Sequence, residues 1–290
     1  MCSSWLYDKK TRTITVRPKF NGKLTGLPID TKIIIFCDGS QFNKAIDKKN
    51  LPLNVEQIGF GYEFNQPINE DSLPNSITHL SFGSSFNQLV NSLPNSITYL
   101  AFGKSFNQLV NSLPNSITHL TFGESFNQPV NSLPNSITHL TFGESFNQLV
   151  NSLPNSITYL AFGKYFNQPV NLLPPNIKQL TFGNSFNQSV DKLPNLLLSL
   201  TFNGYAFNGY VFNQLLDMIP DSITHLIINA GYDKEINKLP NNLIFLELPI
   251  SYKHPINNLS YSLKTLKISK DYPIENIKLP FGCKILTKNY

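Results

Sequence analysis

The sequence predicts a mainly β fold, a parallel β-solenoid of about thirteen coils, each of 20–26 residues, with little or no helix. Three observations carry that prediction. A twenty-residue phrase recurs six times between Leu73 and Lys192 with almost no drift, and a fixed period of that length marks stacked repeats. Each copy alternates polar and apolar residues over one short stretch, as a half-buried strand does. A proline at the second residue then leaves a unit of this length no room for a proper helix.

The copy that starts at Leu113 reads Leu-Pro-Asn-Ser-Ile-Thr-His-Leu-Thr-Phe-Gly-Glu-Ser-Phe-Asn-Gln-Pro-Val-Asn-Ser. Counting its leucine as position 1, the apolar positions are 1, 5, 8, 10, 14 and 18, held here by Leu113, Ile117, Leu120, Phe122, Phe126 and Val130. Positions 7 to 10 are the expected strand. The glycine at position 11 (Gly83, Gly103, Gly123, Gly143, Gly163 and Gly183) is expected to supply a left-handed turn that ends it. Proline at position 2 lacks an amide hydrogen, so that side of the coil is expected to be extended or turning. A lone repeat is expected to be unfolded, because ordering its backbone costs more than its few apolar side chains return. Neighbouring coils must cover its two faces.

Read in order, the chain is one solenoid domain over 1–290. Residues 1–26 are an N-terminal cap and degenerate first coil, in which Phe20-Asn-Gly-Lys-Leu-Thr-Gly-Leu-Pro28 is a worn copy of the phrase. Repeats fill 27–278 and are most regular over 73–192. The units at Leu27 and Leu51 run to 24 and 22 residues, with extra residues placed around Cys37–Ser40 and beside Glu70 and Asp71. These are expected in turns, since strand register tolerates no slip. An insertion near 203–213 stretches one unit to 26 residues; beyond it tyrosines (Tyr232, Tyr252, Tyr272) replace the phenylalanine of position 14. Residues 279–290 form the C-terminal capping coil.

Composition narrows the function classes. The chain carries 23 Lys and Arg against 18 Asp and Glu, and the basic excess lies at both ends around an acidic middle. A nucleic-acid groove needs a continuous basic stripe instead, so no nucleic-acid partner is expected. Cys2, Cys37 and Cys283 are far apart and include no C-x-x-C pair, which argues against disulfides and a zinc site. The first residues lack the apolar run of a signal peptide, and no stretch approaches the ~20 apolar residues of a membrane helix. A cytoplasmic protein without membrane association is the expectation.

The phrase Leu-Pro-x-Ser-Ile-Thr-x-Leu-x-Phe-Gly-x-x-Phe-Asn-Gln-Pro-Val closely resembles the FNIP repeat, a branch of the leucine-rich-repeat class, over nearly the whole chain after the first dozen residues. Ile117-x-x-Leu120-x-Phe122 looks like the strand of leucine-rich repeats. Asn127 falls two residues later than that class's ladder asparagine, so the turn after the strand is expected to differ. FNIP repeats are known from giant DNA viruses and social amoebae, which implies a viral protein of the host-cell cytoplasm as one origin. Some follow an F-box that recruits a ubiquitin ligase; only 13–26 residues precede the repeats here, too few for that module. A substrate-recognition subunit without the F-box is an alternative the resemblance leaves open.

Two rows of residues are candidates for something beyond the core. Asn87, Asn107, Asn127, Asn147, Asn167 and Asn187 at position 15 are expected to form a structural ladder, bonding from coil to coil or to turn backbone. The outward position 7 reads His79, Tyr99, His119, His139, Tyr159 and Gln179, and position 9 beside it includes Thr121 and Thr141. Rings with a polar handle suit partner recognition; the plainer account is that they shield the sheet. His119 and His139 lack any Cys, Asp or Glu in their row, so no metal is expected, and no catalytic constellation interrupts the repeats. The expected function is a non-enzymatic protein–protein interaction scaffold with no cofactor. A solenoid that grips a repetitive surface such as a glycan is the alternative, favoured by threonine rows at positions 6 and 9.

Overall fold

The computed structural model describes residues 4–204, 212–229 and 231–288. Cys2 and most of the insertion near 203–213 lie outside the described residues. The chain divides into two compact units, Met1–Gly143 and Glu144–Tyr290.

In the first unit, β1 (Trp5–Asp8), β2 (Thr13–Val16), β3 (Ile33–Phe36), β4 (Gln57–Gly59), β5 (His79–Ser81), β6 (Tyr99–Ala101), β7 (His119–Thr121) and β8 (His139–Thr141) lie side by side in chain order. From β2 onward they are parallel and paired one repeat apart, so that Leu100 lies beside Leu120 and Leu120 beside Leu140. The departure from an all-parallel sheet is β1, which pairs antiparallel with β2. Asp8 closes that hairpin by accepting the Lys10 N–H at 2.9 Å and the Thr11 hydroxyl at 2.8 Å. Arg12 takes the turn's positive φ of 54°.

The second unit contains β9 (Tyr159–Ala161), β10 (Gln179–Phe182), β11 (Ser199–Phe202), β12 (His225–Ile228), β13 (Phe245–Glu247), β14 (Thr265–Ser269) and β15 (Lys284–Lys288), again in chain order and parallel. Short 3-10 turns occur at Lys48–Asn50 and Ile274–Asn276. The fold is thus a parallel β-solenoid with essentially no helix. The surplus residues of the early units sit in turns: between Phe36 and Phe42, in the turn at Lys48–Asn50, and at Asn69–Ser72. In the last of these, the Asn69 N–H donates to Ser72 Oγ at 3.0 Å.

The core repeats as strictly as the sequence. Ile117, Leu120, Phe122, Phe126 and Val130 are all buried, as are their counterparts one coil earlier. Phe122 and Phe126 stack within their coil at 3.7 Å between ring centroids, and Phe106 stacks on Phe126 at 6.1 Å across coils. In the second unit the column passes to Tyr232, Tyr252 and Tyr272, spaced 6.2 and 6.5 Å. Burial raises the pKa of both Tyr232 and Tyr252, the latter to about 12. The Tyr272 hydroxyl donates to the His254 carbonyl at 2.6 Å.

Position 11 requires glycine for a different reason from the one its place in the sequence suggests. None of Gly83, Gly103, Gly123, Gly143, Gly163 or Gly183 has a positive φ; among the described residues the glycines that do are Gly26, Gly231 and Gly282. The constraint is contact between coils. A Cβ on Gly123 would lie 2.0 Å from the Gly103 carbonyl oxygen, and one on Gly103 would lie 2.2 Å from that of Gly83. Backbone passes over backbone with no space for a methyl group.

Gly123→Ala should therefore lower folding stability by about 3 kcal/mol or more, as overpacking against backbone does. Gly39→Ala meets nothing within 4 Å and should change stability by less than ~0.5 kcal/mol. Urea denaturation of the two variants checks the pair, and equal midpoints would refute the packing account.

Candidate binding face

Three side-chain ladders hold the coils at a common pitch and so position the outward strand face. Serine at position 4 donates to the position 5 carbonyl of the preceding coil: Ser96 Oγ to Ile77 O and Ser116 Oγ to Ile97 O, each 2.6 Å. Threonine at position 6 donates to the position 6 carbonyl of the coil before it, as Thr98 does to Thr78 O at 3.2 Å and Thr118 to Thr98 O at 3.1 Å. That same carbonyl accepts two backbone N–H groups, from Thr118 at 2.8 Å and His119 at 3.0 Å in the case of Thr98 O.

The third ladder is made by asparagine at position 15. Asn107 Oδ1 accepts the Asn127 backbone N–H at 2.9 Å and the Gln128 Nε2 amide at 3.2 Å. Asn87 serves Asn107 and Gln108 in the same way. In the second unit Asn147 receives Asn167, and Asn167 receives Asn187, each backbone bond 2.9 Å. The row extends past the six regular copies, from Asn21 under Asn43 to Asn213 under the Asp233 N–H. Gln at position 16 is the member that the motif Phe-Asn-Gln contains but sequence reasoning left without a role.

On the outward face of the first unit, position 7 runs Gln57, His79, Tyr99, His119 and His139 on adjacent strands. His79, Tyr99, His119 and His139 are exposed, whereas Ser81, Ala101, Thr121 and Thr141 at position 9 are half-buried. Their rings lie nearly parallel: His79 to Tyr99 at 5.7 Å, Tyr99 to His119 at 6.2 Å, and His119 to His139 at 4.2 Å. In the second unit the row reads Tyr159, Gln179, Ser199, His225, Phe245 and Thr265. Tyr159 is half-buried there and Gln179 exposed, while His225 stacks on Phe245 at 6.0 Å.

Each histidine in this row is held by the threonine before it. Thr78 Oγ1 lies 2.9 Å from His79 Nδ1, Thr118 2.9 Å from His119, Thr138 2.9 Å from His139, and Thr224 3.0 Å from His225. No feature of the sequence alone distinguishes this contact from chance adjacency; it depends on the strand's geometry. The His119 pKa is depressed, first by burial and then by the charges of His139 and His79.

Charge is scarce around these rings. Between residues 73 and 143 the only ionic side chains are Lys104 and Glu124, which meet at 2.8 Å. The outward face of the second unit differs: Glu247 is clasped by Lys267 at 3.2 Å and by Lys288 at 2.5 Å. Among the described residues no group of three or more His, Cys, Asp or Glu comes together to hold a metal, and no helix is long and apolar enough to cross a membrane. Cys37 and Cys283 are free thiols.

The FNIP repeat family matches the chain in seven overlapping segments from residue 42 to 205 and in an eighth over 212–251. The chain belongs to the FNIP repeat family. This FNIP chain is similar to the crystal structure of CroV588, a circular leucine-rich-repeat protein of a giant virus, with 41% identity and a TM-score of 0.83. That likeness covers 95% of this chain but 43% of CroV588, so the FNIP chain spans under half the length of that relative. YopM of Yersinia enterocolitica (20% identity, TM-score 0.51, 91% of this chain and 65% of that one) shares the fold. So does the internalin InlF of Listeria monocytogenes (13%, 0.54, 97% and 83%). No curated protein sequence matches the chain.

Two outcomes follow from this geometry. Asn107→Ala strands the Asn127 N–H and should cost roughly 1–3 kcal/mol in denaturant unfolding; a loss below ~0.3 kcal/mol would show that water replaces the ladder without penalty. For His119, the folded pKa lies below the unfolded one. The stabilisation of the neutral ring is then complete above about pH 6.5 and is lost as pH falls through the depressed folded value. Melting temperature should drop on acidification and drop less in His119→Gln; identical slopes would contradict the assignment.

Proposed function

We propose that this chain is a non-enzymatic scaffold that binds a protein partner through the outward strand face of its repeats, with the position 7 row of the first unit as the contact. The observation that carries the reading is the run His79, Tyr99, His119: exposed rings on adjacent strands, stacked one per coil. Ring side chains lose little rotamer entropy on binding and bury large area, which makes them frequent anchors of interfaces. The core does not use these rings, since positions 8 and 10 already fill it with Leu80, Leu100, Leu120 and the phenylalanines. Leucine-rich-repeat solenoids are a fold commonly used for binding proteins, which supports the same reading at the level of the fold. Thr121, Thr141, Tyr159 and Gln179 belong to the wider face under this proposal, and the Asn87 to Asn187 row is its structural support.

The scarcity of charge adds a signature. A contact made by uncharged rings has little long-range electrostatic energy for salt to screen. Immobilised protein should capture the same partner at about 0.1 and 0.5 M salt, where an ionic contact would weaken. Replacing His79, Tyr99 and His119 together by Ser should reduce that capture roughly tenfold or more, with the melting temperature little changed. A captured set indifferent to the triple substitution would remove the reading, and retention of a glycan instead would favour the surface-gripping alternative.

A further inference from the structure

We propose that His79 and His119 present fixed hydrogen-bond acceptors to the partner, which therefore supplies uncharged donors, hydroxyl or amide, and is released when the imidazoles are protonated. The inference rests on the position 7 face being the contact, and it names the chemistry of that contact and its control.

The threonine ladder determines the tautomer. A threonine hydroxyl has one proton. Thr98, whose neighbour at position 7 is Tyr99 and not a histidine, gives that proton to the Thr78 carbonyl at 3.2 Å. Thr78 and Thr118 make the same bond, to Glu56 O at 3.2 Å and Thr98 O at 3.1 Å. On this proposal the hydroxyl proton stays with the coil-to-coil ladder whichever residue follows. At His79 and His119 the threonine oxygen, 2.9 Å away, is left as an acceptor, and the ring must supply Nδ1–H. In the neutral imidazole the other nitrogen then carries a lone pair. Nε2 of each ring is the acceptor, held in orientation by the bond on the opposite side.

Protonation reverses that character, converting Nε2 into a donor and adding charge. Among the described residues no carboxylate is paired with His79 or His119; a histidine–carboxylate pair occurs at His254 with Asp233. The titratable groups facing His119 from the neighbouring strands are Tyr99, His139 and, beyond Tyr99, His79. On the flanking coils Glu56 is paired with Lys32, and Lys104 with Glu124. Two imidazolium rings with centroids 4.2 Å apart repel one another, and the electrostatics at His119 agree in direction, with its charged form disfavoured first by burial and then by both histidines.

The sign of the pH response separates the classes of partner. A donor-bearing uncharged surface loses its acceptors on acidification, whereas a carboxylate-bearing surface would gain cations to bind. The first measurement needs no partner: long-range proton–nitrogen NMR on chain labelled at histidine nitrogen, at pH ~7.5, above the ordinary range of imidazole protonation. The expected pattern is an unprotonated Nε2 and a protonated Nδ1 at His79 and His119; the opposite tautomer overturns the proposal. The second compares capture at pH ~7.5 and ~5.5, across the histidine range, for the unaltered protein, His119→Gln and His119→Phe. Capture by the unaltered protein should fall about tenfold with acidification. His119→Gln, which keeps an acceptor but does not titrate, should soften the response to acidification; His119→Phe should bind weakly at both values. Capture that rises or stays level on acidification, while the triple serine variant still abolishes it at pH ~7.5, defeats this inference alone. Capture unaffected by the triple variant defeats the scaffold reading and this inference together.

Discussion

The backbone N–H at position 15 of a coil bonds to the coil beneath, and the whole arrangement follows from that dependence. Asn107 Oδ1 accepts the N–H of Asn127, and the Thr98 carbonyl accepts two N–H groups and a hydroxyl from the coil above it. Buried donors left unpaired are costly, so a coil is satisfied only when another lies beneath it at the right height. Gly123 over the Gly103 carbonyl sets that height from the other side, as a limit of steric contact. Attraction by the ladders and exclusion at the glycines together define one spacing. Any residue lengthening a coil must then go where neither operates, as the surplus residues at Lys48–Asn50 and Asn69–Ser72 do.

Fixing the pitch also divides the labour among the residues. Positions 5, 8, 10, 14 and 18 fill the core, 4, 6, 15 and 16 tie coil to coil, and 11 permits their approach. Among the remaining positions, 7, 9, 12 and 17 vary most over the five copies of residues 73–172: His or Tyr at 7, Ser, Ala or Thr at 9, Leu or Pro at 17. The ladder reaches into the variable set at one point. Thr118 holds the coil beneath and, by the same oxygen, meets His119 Nδ1, so the device that stabilises the sheet also touches the outward ring.

Much of this was legible in the sequence, and the parts that were not share a cause. Ile117, Leu120, Phe122, Phe126 and Val130 could be assigned to the core because periodicity reports burial directly, and the strand, expected over positions 7 to 10 and found over 7 to 9 in β5 to β9, because alternation reports a half-buried sheet. Gly123 is the informative failure. Sequence identifies the need for glycine but not whether conformation or contact imposes it, and only the distance to Gly103 decides. Gln128 and Ser116 were likewise unreadable, since their partners, Asn107 and Ile97, are about one coil away in the chain. The antiparallel β1 escaped because Trp5–Asp8 lies outside the repeat that supplied every other inference. The stacking of His79, Tyr99 and His119 followed from strand register, whereas the contact of Thr78 and Thr118 with the ring nitrogens of the next residue required the geometry of the strand.

The central claim is that each coil is satisfied by the one beneath it, through ladders that the sequence repeats. Native-state amide hydrogen exchange measures this residue by residue in the unaltered protein. The N–H groups of Asn87, Asn107 and Asn127 and of Tyr99 and His119, which donate across coils, should exchange slowly and with similar protection. Those of Asn95 and Asn115, in the turns after each proline, should exchange fast. Position 15 amides exchanging as rapidly as those turn amides would contradict the account.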